Sequence, residues 1–304
     1  MLIEEYLKDL RRERFSPPAM ARYAHRTAIA IRGHMDANPG AVRSIWSVAL
    51  VYFAVAFLVA ALMAVAGDRH LATDFFLGTA LAIGLAFVLV TLNVGLLRDA
   101  DDYPLSSLNL PTALTLLRVV LVPATTLFLA ERRFDLALAA FLIAALTDVL
   151  DGWIARRTNQ ITRLGTLLDP FVDIIYNLSL FAGLAVSGLL PAWVAWVAAL
   201  RYAILLVGGA SLYLFVGPVR IRPTAFGRMT GVIMAALVAV LLWLHVRGGS
   251  LPERLAPLTE TALGVLLSAT VAQVVILGWY NLRVMTGKIA TAGRVVDDVR
   301  WGSR

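Results

Sequence analysis

The chemistry that this sequence could perform is concentrated in four aspartates. Asp148, Asp151, Asp169 and Asp173 are the only acidic residues between positions 136 and 252, a stretch that is otherwise strongly apolar. The first two are three residues apart and the last two are four residues apart, so each pair lies on one face of a helix. The connection between the pairs is short, which makes their helices antiparallel neighbours and allows the carboxylates to converge. Oxygen-only ligands favour a hard divalent cation, Mg²⁺ or Mn²⁺, and four carboxylates could bind two such ions.

Two other interpretations of these aspartates stay open from the spacing alone. They could cap helices or pair with the basic residues of the connection, Arg156, Arg157 and Arg163. They could also belong to a cation-coupled transporter or a proton relay, since intramembrane carboxylates are typical of such proteins. A carboxylate at the membrane centre costs about 2.5–3.5 kcal/mol on insertion scales. Every interpretation therefore requires a cation, a hydrogen-bonding partner or a wet cavity for these side chains.

The elements that must position the aspartates are membrane helices. Of the 304 residues, 60% are hydrophobic and 15% are charged, and the mean hydropathy is +0.78. This composition excludes a disordered chain, a disulfide-stapled secreted domain and an ordinary cytosolic enzyme. The absence of cysteine excludes thiol catalysis and cysteine-ligated zinc. We therefore predict an all-α integral membrane protein with eight apolar helices, at 46–66, 75–97, 110–130, 136–155, 168–187, 191–214, 227–246 and 261–285.

The distribution of basic residues predicts the orientation of these helices. An even number of helices puts both termini on one side, and most of the 27 Lys and Arg residues then lie in segments on that side. The positive-inside rule places both termini and the aspartates in the cytoplasm, so we expect a multi-pass protein of the cell (inner) membrane. The net charge of +7 belongs to these segments, and no basic stripe with interleaved aromatic residues indicates a nucleic-acid partner.

The N-terminal third of the chain is predicted to be separate from the part that contains the aspartates. Residues 1–45 are polar and basic, and they begin with apolar residues at helical spacing. This pattern predicts an amphipathic cytoplasmic segment on the membrane surface, with a solvated tail as the alternative. Residues 46–108 add two helices without interior charge and a charged linker, which is the predicted domain boundary.

A longer motif surrounds the aspartates. Residues 148–173 read D-x2-D-G-x2-A-R-x8-G-x3-D-x3-D, which matches the signature of the CDP-alcohol phosphotransferases (class I) at all eight fixed positions. Residues 109–118 resemble the first core helix of the same family. The resemblance covers 109–286, where it implies a catalytic domain of six transmembrane helices, and it leaves 287–304 as a cytoplasmic tail.

The resemblance implies a transferase of phospholipid biosynthesis. In this family a CDP-linked lipid such as CDP-diacylglycerol donates its phosphatidyl group to an alcohol, and CMP leaves. Two divalent ions are implied, Mg²⁺ or Mn²⁺, with Asp148, Asp151 and Asp169 as metal ligands. Asp173 is implied as the general base that takes the proton of the acceptor hydroxyl, and also as a metal ligand. The family resemblance further implies a homodimer.

Residues of the motif and of the first core helix are predicted to bind the nucleotide and its diphosphate. Gly152 would let the nucleotide approach the helix backbone, although helix–helix packing is the alternative for a membrane glycine. Arg156 would bind the diphosphate, unless it is a snorkelling interface residue. For Arg118 the alternative is an ion pair with one of the aspartates. The predicted contacts are Thr115, Arg118, Gly152, Ala155, Arg156 and Gly165.

The acceptor alcohol is less well specified than the donor. Residues 155–165 resemble bacterial phosphatidylglycerophosphate synthases, which use glycerol 3-phosphate. A phosphate-bearing acceptor requires additional cations, and Arg201 and Arg228 are the predicted acceptor contacts. Two departures from those enzymes stand out: Ile174 replaces a lysine, and a segment that usually reads G-K-x-K-T keeps one basic residue. Inositol phosphate, inositol, serine or another polar alcohol therefore remains open.

Overall fold

The fold is helical throughout the part of the chain that the structure describes. The computed structural model describes residues 16–215, 225–248 and 256–285, and within these ranges its extended pairing is limited to an isolated bridge between Arg98 and Pro104. The predicted all-α fold is confirmed. The helices are α1 Pro17–Ala37, α2 Pro39–Val65, α3 Arg69–Leu92, the 3-10 helix Val94–Leu96, α4 Leu110–Ala130, α5 Phe134–Arg157, α6 Arg163–Val186, α7 Ala192–Phe215, α8 Ala225–Val246 and α9 Ala256–Met285.

Six of these helices are long and apolar enough to cross a membrane. They are α2 to α6 and, from Met229 onward, α8. Shorter apolar runs occupy 192–208 in α7 and 261–276 in α9, so each of the eight predicted apolar stretches overlaps one of the α-helices. Large apolar side chains such as Leu50, Phe57 and Leu62 are exposed along α2, as expected for a surface that contacts lipid. The protein is therefore a multi-pass membrane protein. The apolar residues that begin the predicted amphipathic segment (within 1–12) and the predicted cytoplasmic tail at 287–304 lie outside the described residues.

Helix capping explains why two membrane helices begin earlier than their apolar stretches. Helix α2 begins at Pro39, seven residues before the predicted start, because the Asn38 side chain accepts a hydrogen bond from the N–H of Ala41. Helix α6 begins five residues early, because the Thr162 hydroxyl accepts a hydrogen bond of 3.0 Å from the N–H of Gly165. Hydropathy detects the apolar part of each helix and misses its polar first turn.

Helix α3 is displaced from its predicted range at both ends. It begins at Arg69 and ends at Leu92, and the apolar residues Val94–Leu96 form a 3-10 helix rather than its last turn. The Asn93 side chain and the Asn93 backbone N–H both donate to the carbonyl of Leu89, so Asn93 closes the last turn of the helix. The chain therefore leaves the helix within a stretch that is still apolar.

The first of two compact units contains the N-terminal helices. It comprises residues up to Val120 together with Asp148–Pro170, so it includes the start of α4, the end of α5 and the start of α6. Helices α2 and α3 pack along each other, with Tyr52 edge-on to Phe87 at 5.7 Å. The Tyr52 hydroxyl donates a 2.6 Å hydrogen bond to the carbonyl of Ala113 in α4. The predicted extra helices thus share one unit with Asp148, Asp151 and Asp169 of the motif, and the domain boundary after residue 108 remains a prediction.

The second compact unit comprises Leu121–Thr147 and the chain from Phe171 onward. Within it, α9 packs against α7 and α8. The indole of Trp193 lies so close to Gly264 that a Cβ at position 264 would clash with it. The absent side chain of Gly264 is therefore required for α7 and α9 to pack.

Candidate active site

Three helices of the first unit bring the predicted site residues together. Asp148 and Asp151 lie in the last three turns of α5, and Asp169 lies in the second turn of α6. The connection between these helices spans only 158–162 and includes Asn159 in the left-handed region, with φ 52°. The first unit contains Thr115, Arg118, Asp148, Asp151, Gly152, Ala155, Arg156, Gly165 and Asp169.

Arg118 joins the two motif aspartates of α5, Asp148 and Asp151. Its Nη1 donates to Asp148 Oδ1 at 2.6 Å, and its Nη2 donates to Asp151 Oδ2 at 2.7 Å. The side chains of Arg118 and Asp151 are only 4% and 8% exposed, whereas that of Asp148 is 54% exposed. The ion pair that the sequence left as an alternative for Arg118 is therefore present, and it involves both aspartates. Charge-assisted hydrogen bonds of this length fix the two carboxylates on one side of α5.

The Thr115 hydroxyl connects α5 to α6. It lies 3.0 Å from Asp151 Oδ2 and 3.0 Å from Asp169 Oδ1, and 3.1 Å from the carbonyl of Pro111. The two carboxylate oxygens are therefore at most 6.0 Å apart, which is twice 3.0 Å. A hydroxyl has one proton and can donate it to one acceptor at a time. Thr115 consequently cannot satisfy both carboxylates at once.

The donor set of this cluster fits a hard divalent cation. Asp148, Asp151 and Asp169 are shared among one guanidinium and one hydroxyl, so three formal negative charges face one positive charge. Oxygen ligands with uncompensated negative charge are the ligands that Mg²⁺ prefers. In the part of the chain that the structure describes, no three acidic or histidine side chains are already arranged around one point as metal ligands. The predicted convergence of the four aspartates on metal ions therefore stays a prediction.

Gly152 makes room for a side chain of its own helix. A Cβ at Gly152 would lie 3.1 Å from Nη1 and 3.4 Å from Nη2 of Arg156, one turn later in α5. Within the first unit the nearest neighbour of this glycine is thus the guanidinium that is predicted to bind the diphosphate, not a packed helix backbone. Ala155, beside Arg156, is half-buried. The small residues of the motif therefore leave space on the face of α5 along which Arg156 lies.

Gly165 has a structural role at the start of α6. Its N–H donates to the Thr162 hydroxyl, and a Cβ would lie 3.0 Å from that hydroxyl and 3.3 Å from the hydroxyl of Thr112. The Thr112 and Thr162 hydroxyls are themselves 3.3 Å apart, and both side chains are buried. A side chain at position 165 would therefore push α4 away from the start of α6. The predicted nucleotide contact of Gly165 remains a prediction.

The second unit contains the predicted base. Asp173 is half-buried and follows Asp169 by one turn in α6, and its carbonyl accepts a 2.8 Å hydrogen bond from Asn177. Its carboxylate lies close enough to Tyr202 for its charge to act on the phenol. Tyr202 is buried and was not predicted from the sequence. The available signal was a tyrosine directly after an intramembrane arginine.

The predicted acceptor residues are only partly described. Arg201 Nη1 donates to the Tyr202 hydroxyl at 3.0 Å, and the guanidinium carbon lies 4.9 Å from the centre of the tyrosine ring. The Nε of Arg201 is buried and has no hydrogen-bond partner among the described residues. Arg228 lies in α8, but its side chain is outside the described part of the chain.

Removal of the Thr115 hydroxyl tests the central position of that side chain. Thr115→Val is expected to lower the free energy of unfolding by about 1.5–3 kcal/mol, since hydrogen bonds to charged groups contribute about that much. Thr115→Ser should restore most of the loss. Unfolding in detergent, followed by circular dichroism, measures the effect. Thr126→Val is the matched control, because the Thr126 hydroxyl bonds the carbonyl of Val122 four residues earlier. Equal losses in the two valine variants would contradict the assigned role.

Comparison with known proteins identifies a family for the part of the chain that contains the aspartates. Residues 108–292 match the family model described as CDP-alcohol phosphatidyltransferase. Cardiolipin synthase (CMP-forming) of Streptomyces coelicolor is 38% identical over 106 residues, which cover 33% of this chain and 49% of the relative.

Two further relatives share the name CDP-diacylglycerol–glycerol-3-phosphate 3-phosphatidyltransferase. The protein from Aquifex aeolicus is 40% identical over 70 residues, 23% of this chain and 39% of the relative. The protein from Escherichia coli K12 is 48% identical over 68 residues, 21% of this chain and 37% of the relative. The chain thus spans less than half the length of each of these three relatives. The family model, in contrast, covers more than half of the 304 residues and includes the whole aspartate motif. The chain belongs to the CDP-alcohol phosphatidyltransferase family.

Proposed function

We propose that this protein transfers the phosphatidyl group of CDP-diacylglycerol to an alcohol, with release of CMP, as a step of phospholipid biosynthesis. The observation that supports this most strongly is the cluster in which Thr115 and Arg118 hold three motif aspartates of two neighbouring helices. The match to this family favours phosphatidyl transfer over cation-coupled transport, the alternative that the spacing of the carboxylates alone had left open.

The cluster is the proposed site of Mg²⁺, or of Mn²⁺. Enzymes of this family generally depend on divalent metal ions. Asp148, Asp151 and Asp169 would hold the metal, and Asp173 would contribute when it is not accepting a proton. Bound metal would neutralise the charge that develops on the diphosphate oxygens during transfer. Thr115 and Arg118 keep the Asp151 carboxylate in place, and the motif aspartates would turn toward a common point when the metal binds.

The remaining motif residues have the following roles in the proposed reaction. Asp173 takes the proton of the acceptor hydroxyl while the hydroxyl oxygen forms a bond to the phosphorus of the phosphatidyl group. The bond from that phosphorus to the bridging oxygen breaks, and CMP leaves with the electron pair. Arg156 binds the diphosphate and offsets its charge. Gly152, Ala155 and Gly165 allow the nucleotide to lie close to the helices.

Glycerol 3-phosphate is the proposed acceptor. Two similar proteins are named for transfer to glycerol 3-phosphate, and the half-buried Arg201 of the second unit has a buried Nε without a hydrogen-bond partner among the described residues. Arg228 is the second proposed contact of the acceptor phosphate. The similarity to a CMP-forming cardiolipin synthase favours a second candidate, a lipid alcohol such as phosphatidylglycerol. We further propose a homodimer in the cell (inner) membrane, with both termini and the aspartates facing the cytoplasm.

An acceptor panel tests the choice of alcohol. The full-length protein in nanodiscs would receive CDP-diacylglycerol and Mg²⁺ with glycerol 3-phosphate, phosphatidylglycerol, inositol phosphate, inositol or serine in turn. We expect the highest kcat/KM with glycerol 3-phosphate and a rise of its KM in Arg201→Gln. A higher kcat/KM with phosphatidylglycerol would contradict glycerol 3-phosphate as the acceptor and support the lipid alcohol.

Substitution of Gly152 separates a functional glycine from a packing glycine. Gly152→Ala should leave stability unchanged or raise it by up to about 1 kcal/mol, as alanine favours helices. In the part of the chain that the structure describes, the three heavy atoms nearest to the new methyl group all belong to the guanidinium end of the long Arg156 side chain. Turnover should nevertheless fall about 100-fold, because the displaced guanidinium and the methyl group disturb the bound diphosphate. Thermal unfolding and CMP release measure the two effects. Gly84→Ala in α3, where a Cβ would meet nothing within 4 Å, should change neither activity nor fold.

A further inference from the structure

The charged segment between α3 and α4 is folded, although the sequence predicts a linker. Arg98 and Pro104 form an antiparallel bridge, and the N–H of Leu105 donates to the carbonyl of Leu97 at 3.0 Å. Inside this loop the Asp99 carboxylate accepts hydrogen bonds from the backbone of residues 101 and 103, at 3.0 and 2.8 Å. The segment 97–109 therefore has a defined conformation, and we call it the clamp segment.

The N-terminal helices hold one side of the clamp segment. At the junction of α1 and α2, the Asn38 side chain donates a 2.7 Å hydrogen bond to the carbonyl of Leu105. The Ser44 hydroxyl accepts a 3.0 Å hydrogen bond from the N–H of Leu108. Because Asn38 also caps α2 through its other side-chain atom, the position of the clamp segment is tied to the start of the first membrane helix.

The other side of the clamp segment holds the α5–α6 connection. The N–H of Arg163 donates to the carbonyl of Arg98 at 3.1 Å. The Asp102 carboxylate pairs with the guanidinium of Arg163 at 3.2 Å and with that of Arg98 at 3.5 Å. The Asn109 side chain donates to the carbonyl of Gln160 at 2.7 Å. These contacts attach the α5–α6 connection, through Gln160, and the first residue of α6, Arg163, to the clamp segment.

We propose that the clamp segment is a positioning element, through which the N-terminal helices set the start of α6 and hence the spacing of Asp169 from Asp151. Asp102 and Asn38 are the positioning residues, because each joins the segment to one of the two parts that it connects. The inference rests on the proposed function for its effect on turnover. Its structural part, that the N-terminal helices restrain the α5–α6 connection, does not depend on that function.

The clamp contacts differ in strength, so their removal should have graded effects. Asp102 and Arg163 are about half exposed, and an exposed ion pair changes an equilibrium by roughly one- to fivefold. The Asn38 hydrogen bond is part-buried, and loss of such a bond is expected to have an effect of about fivefold. Asn38→Asp removes the donor but keeps the acceptor that caps α2, since aspartate caps helices as well as asparagine does.

Hydrogen–deuterium exchange of the full-length protein in nanodiscs tests the clamp directly. In Asp102→Asn and in Asn38→Asp, peptides that cover 158–165 should exchange about threefold and fivefold faster than in the wild type. CMP release, measured in the same preparations, should show a raised Mg²⁺ requirement. Asp102→Glu should restore both readouts. Asp101→Asn and Asn93→Asp are the matched controls, as both residues lie nearby and contact neither the connection nor Leu105 within the described residues.

The outcomes distinguish the clamp from the proposed function. Unchanged exchange at 158–165, or an equal change in the controls, would overturn the clamp. Faster exchange with unchanged turnover and Mg²⁺ requirement would overturn the positioning role of the segment. Faster exchange in a protein whose wild type releases no CMP would overturn the proposed function and leave the structural restraint standing.

Discussion

Asp173→Asn is expected to lower kcat by about 10²–10⁴-fold, the usual contribution of a general base, while CDP binding persists. Asparagine keeps the size of the side chain and cannot accept the proton of the acceptor hydroxyl. Because Thr115 and Arg118 hold Asp148, Asp151 and Asp169, which stay intact in this variant, nucleotide affinity should change little. Radiometric CMP release and calorimetric titration with CDP measure the two properties.

The same substitution in α5, at Asp135, provides the control for Asp173 in α6. Asp135 lies in the first turn of that helix and pairs with Arg133 at 3.3 Å on an exposed surface. Asp135→Asn should therefore retain full turnover. Full activity in Asp173→Asn, or equal losses in the two variants, would refute the assignment of Asp173 as the base.

Asp151→Asn is expected to abolish Mg²⁺ binding and also to destabilise the protein. Loss of a supporting residue around a metal typically costs 10–100-fold in affinity, so loss of a direct ligand should cost more than about 100-fold. Asp151 is buried against Arg118, and removal of one partner of a buried ion pair costs about 3–5 kcal/mol when the other charge is left unpaired. Because Arg118 keeps its pairing with Asp148, the expected loss lies below that range. Mg²⁺ titration in the absence of substrate and thermal unfolding measure the two effects.

Asp148→Asn separates the metal effect from the ion-pair effect. Asp148 contacts the same guanidinium, but its side chain is half exposed, so its loss should destabilise the protein much less at a similar cost in Mg²⁺ affinity. Asp74→Asn, which removes an exposed carboxylate paired with His70, should change neither property. Wild-type Mg²⁺ affinity in Asp151→Asn would exclude this residue as a ligand.

The sequence predicted the helical architecture and the aspartates because both depend on local patterns. Apolar runs of membrane length identify helices regardless of their neighbours, and spacing of three or four residues places side chains on one face. The same patterns failed at Val94–Leu96, where hydropathy continues but the helix ends. The chain beyond that end is held by contacts between residues far apart in the sequence, such as Asn38 and Leu105, which hydropathy does not report.

Tertiary contacts also decided points that the sequence left open. The pairing of Arg118 with two aspartates depends on the packing of α4 against α5. Whether Gly152 faces another helix or a guanidinium depends on the rotamer of Arg156. Tyr202 was not predicted as a site residue, because a tyrosine in an apolar helix is ordinarily a packing residue. Its hydrogen bond with Arg201 indicates the polar role. Spacing along one helix reports neither the contacts between helices nor the rotamers of side chains within a helix.

Release of CMP by the purified protein tests the central claim most directly. The full-length chain in nanodiscs would receive CDP-diacylglycerol, a mixture of glycerol 3-phosphate and other polar alcohols, and Mg²⁺. The account predicts CMP release that requires both the acceptor and the metal, with formation of the matching phospholipid, and that disappears in Asp173→Asn. Absence of CMP with every acceptor, from protein that binds CDP and is folded, would contradict it.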